Sequence, residues 1–450
     1  MADIKPFRAV LYNEEKTGDL GAVMAPPYDV ISRDFQKRLY ERHPNNVVRL
    51  ILAHMNEEGG DAPDRYRASA SDLRAWIESG VLKRDERPSI YYYKQRFSQP
   101  DGTVTTRKGF MALSRIEDFG KGKIHAHERT LSGPKADRLR LMEACRANFS
   151  CIFTLYSDEA LTINRILDEY TEGRGPEIDV RDDDGVENIL YRVSDPEIIE
   201  KVRSAMRDKT LFIADGHHRY ETALNYRNLM RKKNPGAEGD QPYDFVMMYF
   251  SNMDDEGLTV WPTHRVIHNL PDFDPERFIS ELKKYFELKR FEYNVNTKDD
   301  VLKSLVSAME SCGRTSNCFG MHLKGENASY LLRYRDGSAL EGLFDESIPP
   351  VYRRLDVTIL HELVLTKILG ISRGAQERQE NIVYVKNYAD AFASMDDPHN
   401  EIVFLLNPTK VSDVKAVAEA GCKMPQKSTY FYPKLLTGLV INIHDEDWDC

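Results

Sequence analysis

Long apolar runs are missing from this chain of 450 residues. None approaches the roughly 20 residues that a membrane-spanning helix needs, so no membrane partner is expected. Dense basic runs are missing too. With 62 basic and 72 acidic residues the formal charge is −10, which argues against a nucleic-acid footprint. Cysteine is scarce: six residues, at positions 145, 151, 312, 318, 422 and 450, and no CxxC. That spacing suits neither a disulfide framework nor a structural zinc site, and leaves reduced thiols in a cytoplasm as the expectation. The opening "MADIKPFRAV" lacks the charged and apolar regions of a signal peptide. Repeats and low-complexity tracts are absent as well. What remains is an ordinary globular composition, 41% hydrophobic and 30% charged, long enough for two or three domains.

The pattern alternates between periods. Helical spacing appears near 33–42 and over 64–79, where Gly80 stops it. "SIYYYKQRF" and "TTRKGFMAL", joined through Asp101-Gly102, read as a β-hairpin. "ENILYRVSD" reads as a strand. Pro196 then opens a helix over 196–208, with Ile198, Ile199, Val202 and Met206 on one face. An apolar strand, Leu211-Phe212-Ile213-Ala214, runs into Asp-Gly-His-His-Arg, followed by a helix over about 219–232 and a strand over 243–250. A polar loop between strand and helix, at the strand's carboxyl end, is the mark of an α/β unit. "SNMDDEGLTVWPTHR" (251–265) reads as a hairpin. Beyond 270, helices are expected at 275–286, 298–310, 355–368, 388–395 and 411–420, with strands at 287–293, 317–323, 328–335, 382–386 and 402–407.

The loop after Ala214 concentrates chemistry. A helix start presents unpaired N–H groups and attracts anions. Gly216 lets the backbone approach one closely, and Arg219 can grip a phosphate through two parallel bonds. His217 and His218 can donate to an oxygen or shuttle a proton. Asp215 can take a proton from a hydroxyl, or hold a metal such as Mg²⁺; more simply, it can cap the helix.

Other stretches offer partners for such a site. In "HAHERTLSGPKADR" (125–138), Lys135 and Arg138 suit phosphate, and Glu128 is the carboxylate suited to substrate. His125 and His127 alternate and could hold a metal, although no third ligand is evident and HExxH is absent. "PTHR" brings Arg265 to a strand end. In "MPQKSTYFYPKL", Lys427, Ser428 and Thr429 resemble the end of a phosphate loop without its glycine preface. Lys427 would neutralise charge on a transferred phosphoryl group.

"ADGHHRYETAL", "APPYDVI", "HERT", "PKADR", "PTHR" and "MPQKSTYFYPKLLTGLV" together resemble a bacterial and archaeal family, a full-length domain of unknown function. That family is similar to the free-serine kinases of the ParB/sulfiredoxin superfamily. The resemblance implies an α/β (α+β) fold with a ParB/sulfiredoxin-like nucleotide-binding core at 186–270. Around it would lie an N-terminal α+β region (1–185), a small α/β subdomain (271–350) and a C-terminal α/β region (351–450). It also implies ATP or ADP with Mg²⁺, free L-serine or a related hydroxyl compound as acceptor, and Asp215, His217, His218 and Arg219 as the phosphate and catalytic loop. Sulfiredoxins carry a cysteine in this loop; here there is none. ParB proteins add a helix-turn-helix, which this chain lacks. A nucleotide hydrolase or phosphatase, or a nucleotide-sensing regulator, remain the alternatives.

Overall fold

The computed structural model describes residues 2–53, 62–126, 132–294, 296–335, 349–420, 424 and 427–444. The described residues form two compact units: those within 2–126, 132–259 and 431–444 in the first, those within 260–430 in the second.

The first unit is built on a mixed sheet of nine strands. The aromatic hairpin forms as expected, Ile90–Ser98 against Val104–Arg115, with Tyr92 opposite Phe110. Phe245–Asn252 is buried at every position, because it lies between Val104–Arg115 and Ile152–Tyr156. Two covered faces suit its continuous apolar run. This corrects the hairpin expected over 251–265: both edges of Phe245–Asn252 are already taken, so the chain after Asn252 leaves the sheet. Helix Pro196–Met206 starts as its sequence suggests, with Asp195 accepting from the Glu197 N–H and proline in the first turn. Ile199, Val202 and Met206 are buried in the core beneath, and Ile198 packs at its edge.

Strand Leu211–Asp215 pairs parallel with Ile124–Ala126 and antiparallel with Ile152–Tyr156. Its register shifts between Ile213 and Asp215, a bulge of the kind that re-aims a side chain beside a functional loop. The chain's last described stretch returns to this unit. Ala25 bridges Thr437, Val10 bridges Ile441, and Asn442–Ile443 pairs with Ala147–Asn148.

The second unit holds a six-stranded sheet, with Phe286–Glu292 at one edge and Ile382–Val385 at the other. Its helices fall close to the expected places, with one difference in kind. Ile359–Ile368 is a π-helix, in which Leu369 N–H reaches the Val364 carbonyl over five residues. Ile359, Leu360, Leu363 and Val364 bury its apolar face. Among the described residues, no helix of either unit is long and apolar enough to cross a membrane.

Candidate functional site

The loop at 215–219 is tighter than the sequence suggests. Asp215 is the last residue of its strand, and the helix begins at once with His217, running to Lys233. Gly216 makes the corner with φ 88° and ψ 29°, a left-handed conformation that residues with a Cβ avoid. Among the described residues no side chain caps this helix, and its first turn holds no acidic residue. Asp215 is therefore not the helix cap, and the partial positive charge of the helix start favours an anion there.

Asp215 is instead an anion between two cations. Its Oδ2 accepts from Arg219 Nη2 at 3.3 Å and from Lys434 Nζ at 3.2 Å. Burial raises its pKa, but Lys434, Arg219 and then His217 outweigh that and hold the carboxyl well below the usual range. Arg219 folds back over the corner and also donates to the Cys151 carbonyl. A Cβ on Gly216 would stand 2.9 Å from the guanidinium carbon of Arg219, the far end of a long side chain that would have to shift, while the positive φ is what demands glycine. His217 is buried, while His218 and Arg219 are partly open.

Lys434 is the residue that sequence reasoning missed, although "FYPK" lies within a stretch it singled out. A buried polar network places it. Gln95 Nε2 donates to the Lys434 carbonyl at 3.0 Å and to Asn188 Oδ1 at 3.1 Å. Arg107 Nη2 donates to the Pro433 carbonyl at 2.6 Å and also bonds Gln95 Oε1. Arg107, Gln95 and Asn188 are fully buried. Arg107 Nε and Nη1 are buried without a partner, so the bonds through its Nη2 and through Gln95 are the ones that set the path of residues 433 and 434.

Two cavities adjoin the two cations of this carboxylate, one each. On the Arg219 side is a narrow slot that also touches Tyr28 and Arg138. Tyr28 belongs to "PPYDV"; the Arg138 guanidinium lies 4.3 Å over its ring. Burial raises the Tyr28 pKa, and the charges of Arg219, Arg138 and Asp215 all act on it. On the Lys434 side is a cavity of about 500 Å³ with Asp19, Asp179, Asp182, Asp183 and Asp184 in its wall beside Arg42 and Arg181, Arg42 being paired with Asp183 at 2.8 Å.

The other expected residues distribute as follows. Arg138 is near the loop but already engaged, donating to Asp137 at 2.7 Å and to the Ile51 carbonyl at 2.8 Å. Lys135 lies in helix Ser132–Cys145, and its side chain is outside the described residues. Glu128 and His127 lie outside them too. Arg265, Lys427, Ser428 and Thr429 belong to the second unit. Arg265 is buried there, donating to His361 Nε2 at 3.3 Å, to the Lys427 carbonyl at 3.2 Å and to the Thr263 carbonyl. Its guanidinium is thus committed to holding a loop. Lys427 is exposed with φ 56°, and the Ser428 carbonyl accepts from Thr409 at 2.7 Å.

A resident Mg²⁺ does not fit this donor set. Two cations already share the one loop carboxylate. Among the described residues no three His, Cys, Asp or Glu side chains are grouped to hold a metal. Cys151, beside Arg219 in space, is a buried thiol pushed up to about 12 despite that arginine, so it offers no thiolate.

Comparison with known proteins agrees with the motif reading at the level of the family. The family described as "Protein of unknown function (DUF1015)" matches residues 4–358. No curated protein matches the chain. Among solved structures, a free serine kinase in complex with AMP is similar at 12% identity and a TM-score of 0.31, over 69% of this chain and 83% of that one. A conserved hypothetical protein from Pyrococcus furiosus is similar at 14% identity and a TM-score of 0.33, over 72% and 92%. SbnI from Staphylococcus aureus, truncated at its C-terminus, matches at 10% identity and a TM-score of 0.32, over 75% and 90%.

Proposed function

The chain belongs to the DUF1015 family, and we propose that it is a nucleotide-dependent small-molecule kinase acting at the loop 215–219. The observation that carries this reading is the Asp215 carboxylate held between Arg219 and Lys434 at a helix start whose corner is the left-handed Gly216. A polyphosphate brings more negative charge than one carboxylate. It would draw Arg219 and Lys434 onto its own oxygens and take up the helix N–H groups. Asp215, relieved of two cations, then rises toward an ordinary carboxylate pKa and becomes a better proton acceptor.

Transfer follows from that exchange. The bond from the terminal phosphorus to its bridging oxygen breaks, and the acceptor hydroxyl oxygen bonds to that phosphorus. The hydroxyl proton passes to Asp215. Arg219, Lys434 and His218 stabilise the charge spread over the phosphoryl oxygens, which is most of the catalytic task in such reactions. The donor lies on the Arg219 side, and the acceptor enters from the acid-walled cavity on the Lys434 side. Those carboxylates suit an acceptor that carries an ammonium group. The motif resemblance to free-serine kinases suggests L-serine, giving O-phosphoserine, with ATP or ADP as donor and Mg²⁺ arriving on its phosphates.

The test is a panel of free hydroxyl compounds incubated with labelled ATP and ADP. Label should appear on a hydroxyl amino acid, and Asp215→Asn should lower turnover by a factor on the order of 10²–10⁴. Label released only as inorganic phosphate would make the protein a hydrolase. Binding with no turnover would make it a nucleotide sensor.

A further inference from the structure

We infer that the slot beside Arg219 receives the base of the nucleotide, a flat two-ring heterocycle, with Thr222 as its polar contact. This rests on reading the loop 215–219 as the phosphate site. The slot is lined mostly by carbon: Ile51, Leu141, Met142, Phe149, Ile152 and Val246. Its cationic members, Arg219 and Arg138, are the ones near the loop. A nucleotide has that polarity, with an apolar planar end and an anionic end.

Size and charge narrow the ligand class. Space for water centres amounts to about 60 Å³, room for roughly four to six waters at the ~10–15 Å³ each requires by that measure. In liquid volume, at ~30 Å³ per water, that is about the displacement of a fused two-ring heterocycle. The lining contains no Asp or Glu among the described residues, so nothing there answers the ammonium of a free amino acid. A base, which carries no charge, needs none.

Thr222 supplies the second observation. It lies on the helix His217–Lys233, one turn beyond the loop, and is 1% exposed. Helical threonines usually turn the hydroxyl back onto the carbonyl four residues before. Here Oγ1 is buried without a hydrogen-bond partner. The slot's other polar side chains are occupied in part: Ser150 Oγ is 3.1 Å from Thr437 Oγ1, and Asn148 Oδ1 accepts from Asn442 Nδ2 at 2.9 Å. An orphan hydroxyl in a carbon-lined slot is matched by a ring nitrogen or exocyclic group of a base.

Calorimetry with ATP, adenosine and inorganic tripolyphosphate tests this on the full chain. Wild type should bind ATP at least tenfold more tightly than tripolyphosphate. Met142→Trp, which fills the slot from its half-buried side, should erase that advantage and leave tripolyphosphate affinity unchanged. Thr222→Val keeps the shape and removes the hydroxyl. It should fold as well as wild type, by melting temperature, and lose several-fold in ATP affinity with no change toward tripolyphosphate. This variant carries the test if the tryptophan variant does not fold. Equal affinity of wild type for ATP and tripolyphosphate overturns the base slot while the phosphate loop stands. An ATP advantage that survives in folded Met142→Trp, or an ATP affinity unchanged in folded Thr222→Val, also overturns it. Wild type that binds neither ligand removes the phosphate-loop reading and this one with it.

Discussion

Gly216 shows how much of the site rests on a missing Cβ. At φ 88° any L side chain is strained, by roughly 1–2 kcal/mol. Here the added carbon would also meet Arg219 at 2.9 Å. Gly216→Ala should therefore lower stability by about 1–2 kcal/mol and nucleotide affinity by tenfold or more, measured by urea denaturation and calorimetry. Affinity that survives while stability falls would mean Arg219 does not need its present pose. At this scale the sequence was informative where residues are contiguous: Asp215, Gly216, His217, His218 and Arg219 are neighbours along the chain and in space. Lys434 was not legible as a partner, because 219 positions separate it from Asp215. No local period links two such residues. Nor did the sequence reveal that Arg265 and Arg138 are engaged, since occupancy of a donor is a property of packing.

Single elements were legible wherever one period dominates. The hairpin Ile90–Ser98 with Val104–Arg115 and the helix Pro196–Met206 follow from alternation and from Pro196 before one apolar face. The segment after Asn252 was not, because strand pairing is decided by which neighbours already hold the edges. The bulge before Asp215 and the polar network behind Pro433 and Lys434 are of the same kind. Gln95 is the hub of that network, bonded to Asn188, Arg107 and the Lys434 carbonyl. Gln95→Leu, close in size but with no polar atom, should cost about 2–3 kcal/mol in stability from unsatisfied buried groups. It should also lower kcat, because Lys434 loses its placement. Stability and kcat measured together decide the point. A loss of stability with unchanged kcat per folded molecule would limit the network to holding the fold.

Across the whole molecule, buried histidines set the response to acid. In the second unit burial, followed by Arg265, pushes His264 down to about 4 and His361 down to about 3, where the Gln376 hydrogen bond works the other way. In the first unit burial alone pushes His444 down to about 4. A group whose folded pKa is depressed contributes stability above its unfolded pKa, near 6.5 for histidine, and loses it as pH falls through the folded value. Each histidine should thus withdraw up to roughly 3 kcal/mol between pH 6.5 and about 4, at ~1.4 kcal/mol per pH unit. Asp356 in the second unit opposes this: burial pushes it up to about 6, against Asn317 and Lys410, so it takes up its proton on the folded side first and adds stability as pH drops. Burial raises Asp413 as well, with Lys410 against it. His264 and His361, joined by His322, which burial also lowers, outweigh these carboxyls in the second unit, while in the first unit burial raises Asp72, Asp85 and Asp182 against His444. The Asp215 carboxylate, held low by its cations, withdraws its own contribution only below about pH 4, the ordinary range of an unfolded aspartate. Urea denaturation should therefore show the stability of the second unit falling from pH 6.5 to 4.5. His264→Asn keeps an acceptor in place of Nδ1, which receives the Leu406 N–H at 3.2 Å, and removes the titration. Its stability should vary less over that range than wild type's. Parallel curves for the two proteins would take His264 out of the acid response and leave it to His361 and His444.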